Sequence, residues 1–350
     1  MGTAPASLAV IAARVDGRLR DLLESEIARW TALDPELTAP LESLATLVLS
    51  GGKRLRPAFC HWGWVGSGGD PDDPVVADAG AAFELLHAFA LVHDDVMDGS
   101  HTRRGARTAH LDYAARHAVG GWRGEARRYG EGVAILIGDL AFVYADQCLG
   151  RANAEAQSVW HELRVELNIG QYLDVVGTAR GQTNQAAAER IARYKSGKYT
   201  VERPLHLGAA LAGRFGELAP ALSAYGLPLG DAFQLRDDML GAFGDSVLTG
   251  KPVGDDLREG KPTPMLAIAA SRAGKQHAEL LDRVGAPDLG EDEVAALQAV
   301  LVDTGAQAEI EATITALTDQ AVAAIARADI GPVACEELTE LAYFVAWRDR

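Results

Sequence analysis

The stretch Glu84-Leu85-Leu86-His87-Ala88-Phe89-Ala90-Leu91-Val92-His93-Asp94-Asp95-Val96-Met97-Asp98 decides the fold. Apolar residues at Phe83, Leu86, Phe89, Val92 and Val96 recur at helical spacing, so 78 to 98 reads as a strong helix. Its last turn carries three aspartates. Carboxylates are unfavourable there because the helix macrodipole is negative at that end, and a purely structural helix would finish in Lys or Arg. Asp94 and Asp98 lie one turn apart on one face, where like charges repel without a counterion. Charge placed beside buried surface costs free energy unless cations offset it. Mg²⁺ answers both demands, since it binds through one or two carboxylates plus the phosphates of a substrate.

A second cluster, Gln234-Leu235-Arg236-Asp237-Asp238, ends another apolar helical run at 219 to 241. One such pattern proves little, because 49 acidic residues in 350 supply about one by chance and Asp255-Asp256-Leu257-Arg258-Glu259 is a further example. Alone, either cluster reads as a solvated helix end. The grouping of scarce cations argues otherwise. Gly51-Gly52-Lys53-Arg54-Leu55-Arg56 sets flexible backbone and three positive charges at a helix start, where free N–H groups favour a phosphate. Arg103-Arg104 follows the first cluster, Lys195-Ser196 stands beside Gly197, and Lys251 and Lys261 follow the second. Basic groups around two carboxylate clusters are what a site for two diphosphates requires.

The rest of the chain reads as helices: 7 to 49 as one or two, a start at Lys53 to Pro57, and runs at about 133 to 150, 154 to 178 and 185 to 212. Segments 66 to 74 and 244 to 264 read as loops, and the Gly-rich segment 118 to 132 as a mobile connection. No alternation typical of strands appears. The expectation is an all-α fold with roughly ten or more helices, and since nothing clearly divides the chain, a single domain over 1–350.

A net charge of −16 disfavours nucleic acid and anionic membranes as partners. Three scattered cysteines, Cys60, Cys148 and Cys335, suit neither a disulfide framework nor a zinc site and fit a reducing cytoplasm. The N-terminus lacks signal-peptide character. The stretch Val133 to Ala145, read as the most apolar, is too short to span a bilayer.

Seven ordered motifs, GGKRLRP (51 to 57), ELLHAFALVHDDVMD (84 to 98), TRRG (102 to 105), GQYLD (170 to 174), YKSGKYT (194 to 200), FQLRDDMLGAFGD (233 to 245) and GKPVGDDLREGK (250 to 261), carry a resemblance. The chain resembles the trans-isoprenyl diphosphate synthases of the polyprenyl synthetase family over nearly its whole length. The resemblance implies helices around a deep apolar cavity, two aspartate-rich motifs at its mouth, and a homodimer. It implies three Mg²⁺ ions held by Asp94, Asp98 and the nearby Asp95 from one wall and by Asp237 and Asp238 from the other. Arg103, Lys195 and Lys251 would hold an allylic diphosphate, and Gly52, Lys53, Arg56, His87 and Arg104 would hold isopentenyl diphosphate. Gln171, Ser196 and Gln234 would line the reacting carbons, and Lys261 would close over the metals. The chemistry implied is ionisation, condensation and proton loss, with Asp94, Asp98, Lys195 and Asp237 central to it.

Where many members carry a last aspartate in the second motif, this chain has Gly241, and Asp256 is expected to help through water. An aromatic at Phe89, five residues before Asp94, sits about 7.5 Å down the helix axis and about 140° around it. That aromatic, with Ala90 beside it and Phe83 lower down, resembles synthases of the C20 product geranylgeranyl diphosphate, with C15 farnesyl diphosphate second. A class I terpene cyclase and a non-catalytic partner subunit fit less well, because the basic site and nearly all the aspartates are present.

Overall fold

The computed structural model describes residues 4–180, 193–244 and 253–348. Helix α1 (Ala6–Leu33) and α2 (Thr38–Leu49) are separated by a 3-10 turn, Pro35–Leu37, where the Asp34 carboxylate accepts from the Glu36 N–H at 2.9 Å. α3 (Leu55–Gly66) and α4 (Pro74–Met97) follow. α4 starts where Asp73 caps the Val75 N–H at 2.8 Å and Pro74 takes the first turn, in which a missing N–H costs nothing.

Then come α5 (Ala109–Gly120), α6 (Ala126–Cys148) and α7 (Ala154–Ala179). A π-helical segment, Arg193–Glu202, runs into α8 (Arg203–Leu211), and α9 (Phe215–Phe243) crosses it. The remainder is α10 (Asp255–Glu259), α11 (Pro264–Arg272), α12 (Lys275–Leu281), α13 (Glu291–Asp303), α14 (Ala306–Ile325) and α15 (Pro332–Ala346).

The all-α expectation holds, with three local corrections. A two-residue hairpin pairs β1 (Thr102–Arg103) with β2 (Ala106–Arg107), too short to leave an alternating pattern in sequence. Segment 118 to 132 is mostly helical, and the connection shrinks to 121–125. Gly121 and Gly124 take left-handed backbone in that connection, whereas Gly130 serves packing: a Cβ there would sit 2.1 Å from the His110 carbonyl, so α6 meets the α5 backbone closely. The loop after α9 contains α10, bounded by Gly254 and Gly260 in left-handed conformations.

α4 packs chiefly on α6, and α9 on α14. One apolar cluster joins α1 to α9 with α15, and a second joins the C-terminal half of α9 to α10, α11, α13 and α14. α9 contributes to both, through Leu222, Tyr225 and Leu229 to the first and Ala232, Met239 and Ala242 to the second. The most apolar long helix is α4 rather than the Val133 to Ala145 stretch, with a mean hydropathy of 1.7. Its length and composition would suit a membrane, but 61% of that window is buried inside the protein, which is how a core helix passes the same test.

Candidate active site

The end of α4 presents its aspartates in two directions. Asp98 is exposed and Asp94 half-buried, while Asp95, turned by about 100° around the helix, is buried. The Gln171 amide on α7 donates to Asp94 Oδ1 at 2.7 Å, bringing two of the expected site residues together. Arg103 engages Asp95 through Nε at 3.0 Å and through a second guanidinium nitrogen. Burial lifts the Asp95 pKa above its ordinary value in spite of that pairing.

Arg103 is aimed by the hairpin. Arg104 (φ 53°) and Gly105 (φ 77°) both take left-handed backbone, as a two-residue type I′ turn demands. Arg103 therefore faces Asp95, whereas Arg104 donates to the Gly51 carbonyl at 2.6 Å and Ser50 Oγ at 2.9 Å. Arg56 lies over the Tyr199 ring at 4.3 Å and donates to Thr200 Oγ1 at 3.0 Å.

Burial drives the His87 pKa well below its ordinary value, and Arg56, Arg104, Arg103 and Arg54 push it the same way. The imidazole is therefore neutral amid four guanidiniums. Arg103 and Arg54 are paired with carboxylates, whereas Arg56 and Arg104 donate to neutral oxygens, so positive charge suited to an anion remains in the bowl beside His87. Arg54 is the exception among the cations of the GGKRLR run. It is bonded to Glu84, to Asp16 at 2.7 Å and to the Val48 carbonyl at 2.8 Å, so it builds the loop rather than facing a ligand. Lys53 is half-buried beside it.

The second wall stands on α9. Gln234 donates to Asp238 Oδ1 at 2.7 Å, and Asp237 is held by Arg348, from just beyond α15. Position 241 is one turn beyond Asp237, where Asp98 stands relative to Asp94. A Cβ on Gly241 would lie 1.9 Å from Asp256 Oδ2, so the carboxylate of α10 fills the room that glycine leaves. Lys261 reaches Asp256 at 3.4 Å and Glu259 at 2.5 Å. Burial opposes its charge, yet Asp256, Glu259 and, from the other wall, Asp94 together hold its pKa above the ordinary value. Lys261 thus stands in the field of both walls.

Burial, Asp256 and Asp237 push Asp238 up to about 8, against the Gln234 hydrogen bond and Lys261. Its metal-free carboxyl is protonated at neutral pH, whereas a magnesium-bound carboxylate is ionised. Magnesium affinity should therefore weaken as pH falls below about 8. Loading with magnesium and inorganic pyrophosphate at pH 7 should release about one proton more than in Asp238→Asn. Calorimetry in buffers of different ionisation enthalpy measures this, and equal proton release by the two proteins would refute it.

Among the described residues, no three carboxylates, imidazoles or thiols are already gathered around one metal position. The donors fit Mg²⁺ nonetheless, because this ion takes few protein oxygens and completes its shell with water and phosphate. Lys251 lies outside the described residues, as do the side chains of Lys195 and Ser196; both sit in the π-helical segment, a form frequent at functional sites.

Phe89 packs on Phe142 of α6 at 4.8 Å and on His93 at 4.6 Å, with Ala90 half-buried beside it. Phe83 is fully buried, edge-on to Trp160 at 5.5 Å, and belongs to the core. A cleft of about 600 Å³ opens between Phe142 and the α7 residues Arg164, Asn168 and Tyr172. Val165, Ile169 and Tyr172, which line the same cleft, are exposed, so it opens on the outer face of α7.

A model of the polyprenyl synthetase family matches residues 37–301. The chain belongs to the polyprenyl synthetase family. This polyprenyl synthetase is 32% identical over 269 residues to the geranylfarnesyl diphosphate synthase of Aeropyrum pernix, covering 74% of this chain and 78% of the relative. It is 30% identical over 309 residues to the (2E,6E)-farnesyl diphosphate synthase of Mycobacterium bovis, covering 85% and 80%. The geranylgeranyl pyrophosphate synthase of Corynebacterium glutamicum, solved with isoprenyl diphosphate and magnesium, superposes with a TM-score of 0.91 at 35% identity, covering 97% and 99%. The polyprenyl synthetase is accordingly a prenyltransferase. Sequence reading missed Arg348 and Asp16, which come from chain segments far from the motifs, and it quoted Glu259 without seeing that it pairs with Lys261.

Proposed function

We propose that this prenyltransferase condenses isopentenyl diphosphate with an allylic diphosphate and releases geranylgeranyl diphosphate, the C20 product. The observation that carries the reading is geometric: Gln171 fixes Asp94 and Arg103 grips Asp95 on the first wall, while on the second Asp256 fills the space left by Gly241 and takes Lys261. Asp94, Asp98, Asp237 and Asp238, with Asp95 behind, would hold magnesium, three ions being expected, which neutralises the leaving diphosphate. Arg103, Lys195 and Lys251 would grip the allylic diphosphate, and Lys261 would close over it. Gly52, Lys53, Arg56, His87 and Arg104 would seat isopentenyl diphosphate.

The allylic C–O bond breaks with its electron pair leaving on the diphosphate, the homoallylic double bond attacks the cation, and a proton departs to the released diphosphate. Gln171, Ser196 and Gln234 would face the reacting carbons. The residues contribute position and preorganised charge in a site that excludes water.

The C20 reading rests on Phe89, seated against Phe142 at the edge of the cleft, and on the likeness to the Corynebacterium glutamicum synthase. The farnesyl relative favours C15 as the second reading. Supplying C5, C10 and C15 primers in turn with labelled isopentenyl diphosphate, with and without magnesium, tests the assignment. C20 should dominate, magnesium omission should abolish turnover, and a C15 end product would replace the reading. Phe89→Ala should shift the distribution by at least one C5 unit, and unchanged chromatograms would remove Phe89 as the floor.

α6 and α7 expose the large apolar side chains Leu136, Val143, Val165, Ile169 and Tyr172, and exposed apolar surface of this kind favours a protein partner. A second copy of the chain covering it would form the homodimer and roof the cleft. The sharing of α9 between both apolar clusters supports one domain over 1–350, and the composition supports a cytoplasmic setting.

A further inference from the structure

Asp237 owes its orientation to the far end of the chain. α15 ends at Ala346, and the Ala346 carbonyl is gripped by Arg236 Nε of α9 at 2.6 Å. Arg348, two residues on, returns the grip: it donates to the Phe233 carbonyl of α9 at 3.2 Å and to Oδ1 of Asp237. Its guanidinium lies 4.2 Å from the centre of the Phe233 ring and donates to the Val345 carbonyl at 2.5 Å. The Arg348 side chain is 1% exposed, whereas that of Asp237 is 42% exposed. One carboxylate oxygen of Asp237 is thus turned inward to a fixed cation, and the rest of the group opens toward solvent.

We infer that Arg348 is a positioning residue for magnesium at the second wall, holding Oδ1 of Asp237 so that Oδ2 faces the diphosphate. The inference rests on the assignment of Asp237 as a metal ligand. A ligating carboxylate commonly takes its direction from a hydrogen-bonding partner behind it, and losing such a partner weakens metal binding about 10- to 100-fold. Arg348 fits that position, since it is buried, forked and anchored to two backbone carbonyls, so little freedom remains for Asp237. The charge of Arg348 also offsets that of Asp237 while Asp238 stands beside it.

Calorimetric titration of magnesium into the full chain with inorganic pyrophosphate tests this. Arg348→Gln should bind magnesium at least about ten-fold more weakly than the wild type, and Arg348→Lys, which keeps one donor for Asp237, should recover part of the loss. In an Asp237→Asn background the Arg348→Gln effect should vanish, because the arginine acts through that carboxylate. Unchanged affinity in Arg348→Gln, or an equal loss in the Asp237→Asn background, overturns the inference. If Arg348→Gln does not fold, Arg348→Lys carries the test, and wild-type affinity in Arg348→Lys together with its Asp237→Asn double variant overturns it equally. A wild type that fails to bind magnesium with pyrophosphate overturns the proposed function as well, so the two failures are distinct.

Discussion

Asp94→Asn is expected to lower kcat about a thousand-fold, the scale on which charge aimed at a transition state is worth when removed. Asp94 stands at the exposed edge of α4, is fixed by Gln171 at 2.7 Å and contributes to the field at Lys261. The substitution keeps the shape and an acceptor for Gln171 while deleting the negative charge that magnesium needs. KM for isopentenyl diphosphate should change only a few-fold, because its proposed seat is the separate bowl around His87. Steady-state kinetics with saturating magnesium, alongside thermal melting to show an intact fold, checks the prediction. A loss of less than about ten-fold would remove Asp94 from the metal wall.

The second large effect concerns stability. Arg54→Met should destabilise the fold by about 3–5 kcal/mol, the usual consequence of leaving one member of a buried ion pair alone. The Arg54 side chain is 1% exposed and that of Glu84 6%, so Glu84 would lose its counter-charge inside the core. Asp16 of α1 and the last turn of α2 would lose contacts at the same time. Urea unfolding measures the cost, and Arg54→Met with Glu84→Leu should recover most of it, since a packed apolar pair avoids the uncompensated charge. A loss below about 1 kcal/mol in the single variant would show that Glu84 is accommodated without Arg54. The Gly51–Lys53 loop leads into Arg54, whose backbone takes φ 50°, so the same variant should also loosen the proposed seat of isopentenyl diphosphate.

The first wall was legible because Asp94 to Asp98 contradict the dipole of the helix that bears them, and such a conflict shows in sequence alone. Gly241 was legible as a departure and Asp256 as its helper through water, but nothing in the chain order reveals that the Asp256 carboxylate itself fills the space. Arg54 counted in sequence only as one of three cations at a helix start, and its burial with Glu84 assigns it to the framework. Arg348 was invisible for a related reason: its partner lies 111 positions away, and no periodicity records a tertiary pairing. Gly130 misled in the opposite sense, since it is small to admit a neighbouring backbone, not to free its own.

The hairpin at Thr102–Arg107 has a consequence for how this sequence can drift. Arg103 and Arg104 leave a two-residue turn in opposite directions, one to α4 and the other to the loop before α3. A change of side chain there alters one address at a time. An insertion or deletion of a single residue instead exchanges the two addresses, because each side of the ribbon alternates residue by residue. Over generations this corner should keep its length fixed, with drift confined to neighbours of the two arginines such as Thr102 and Ala106.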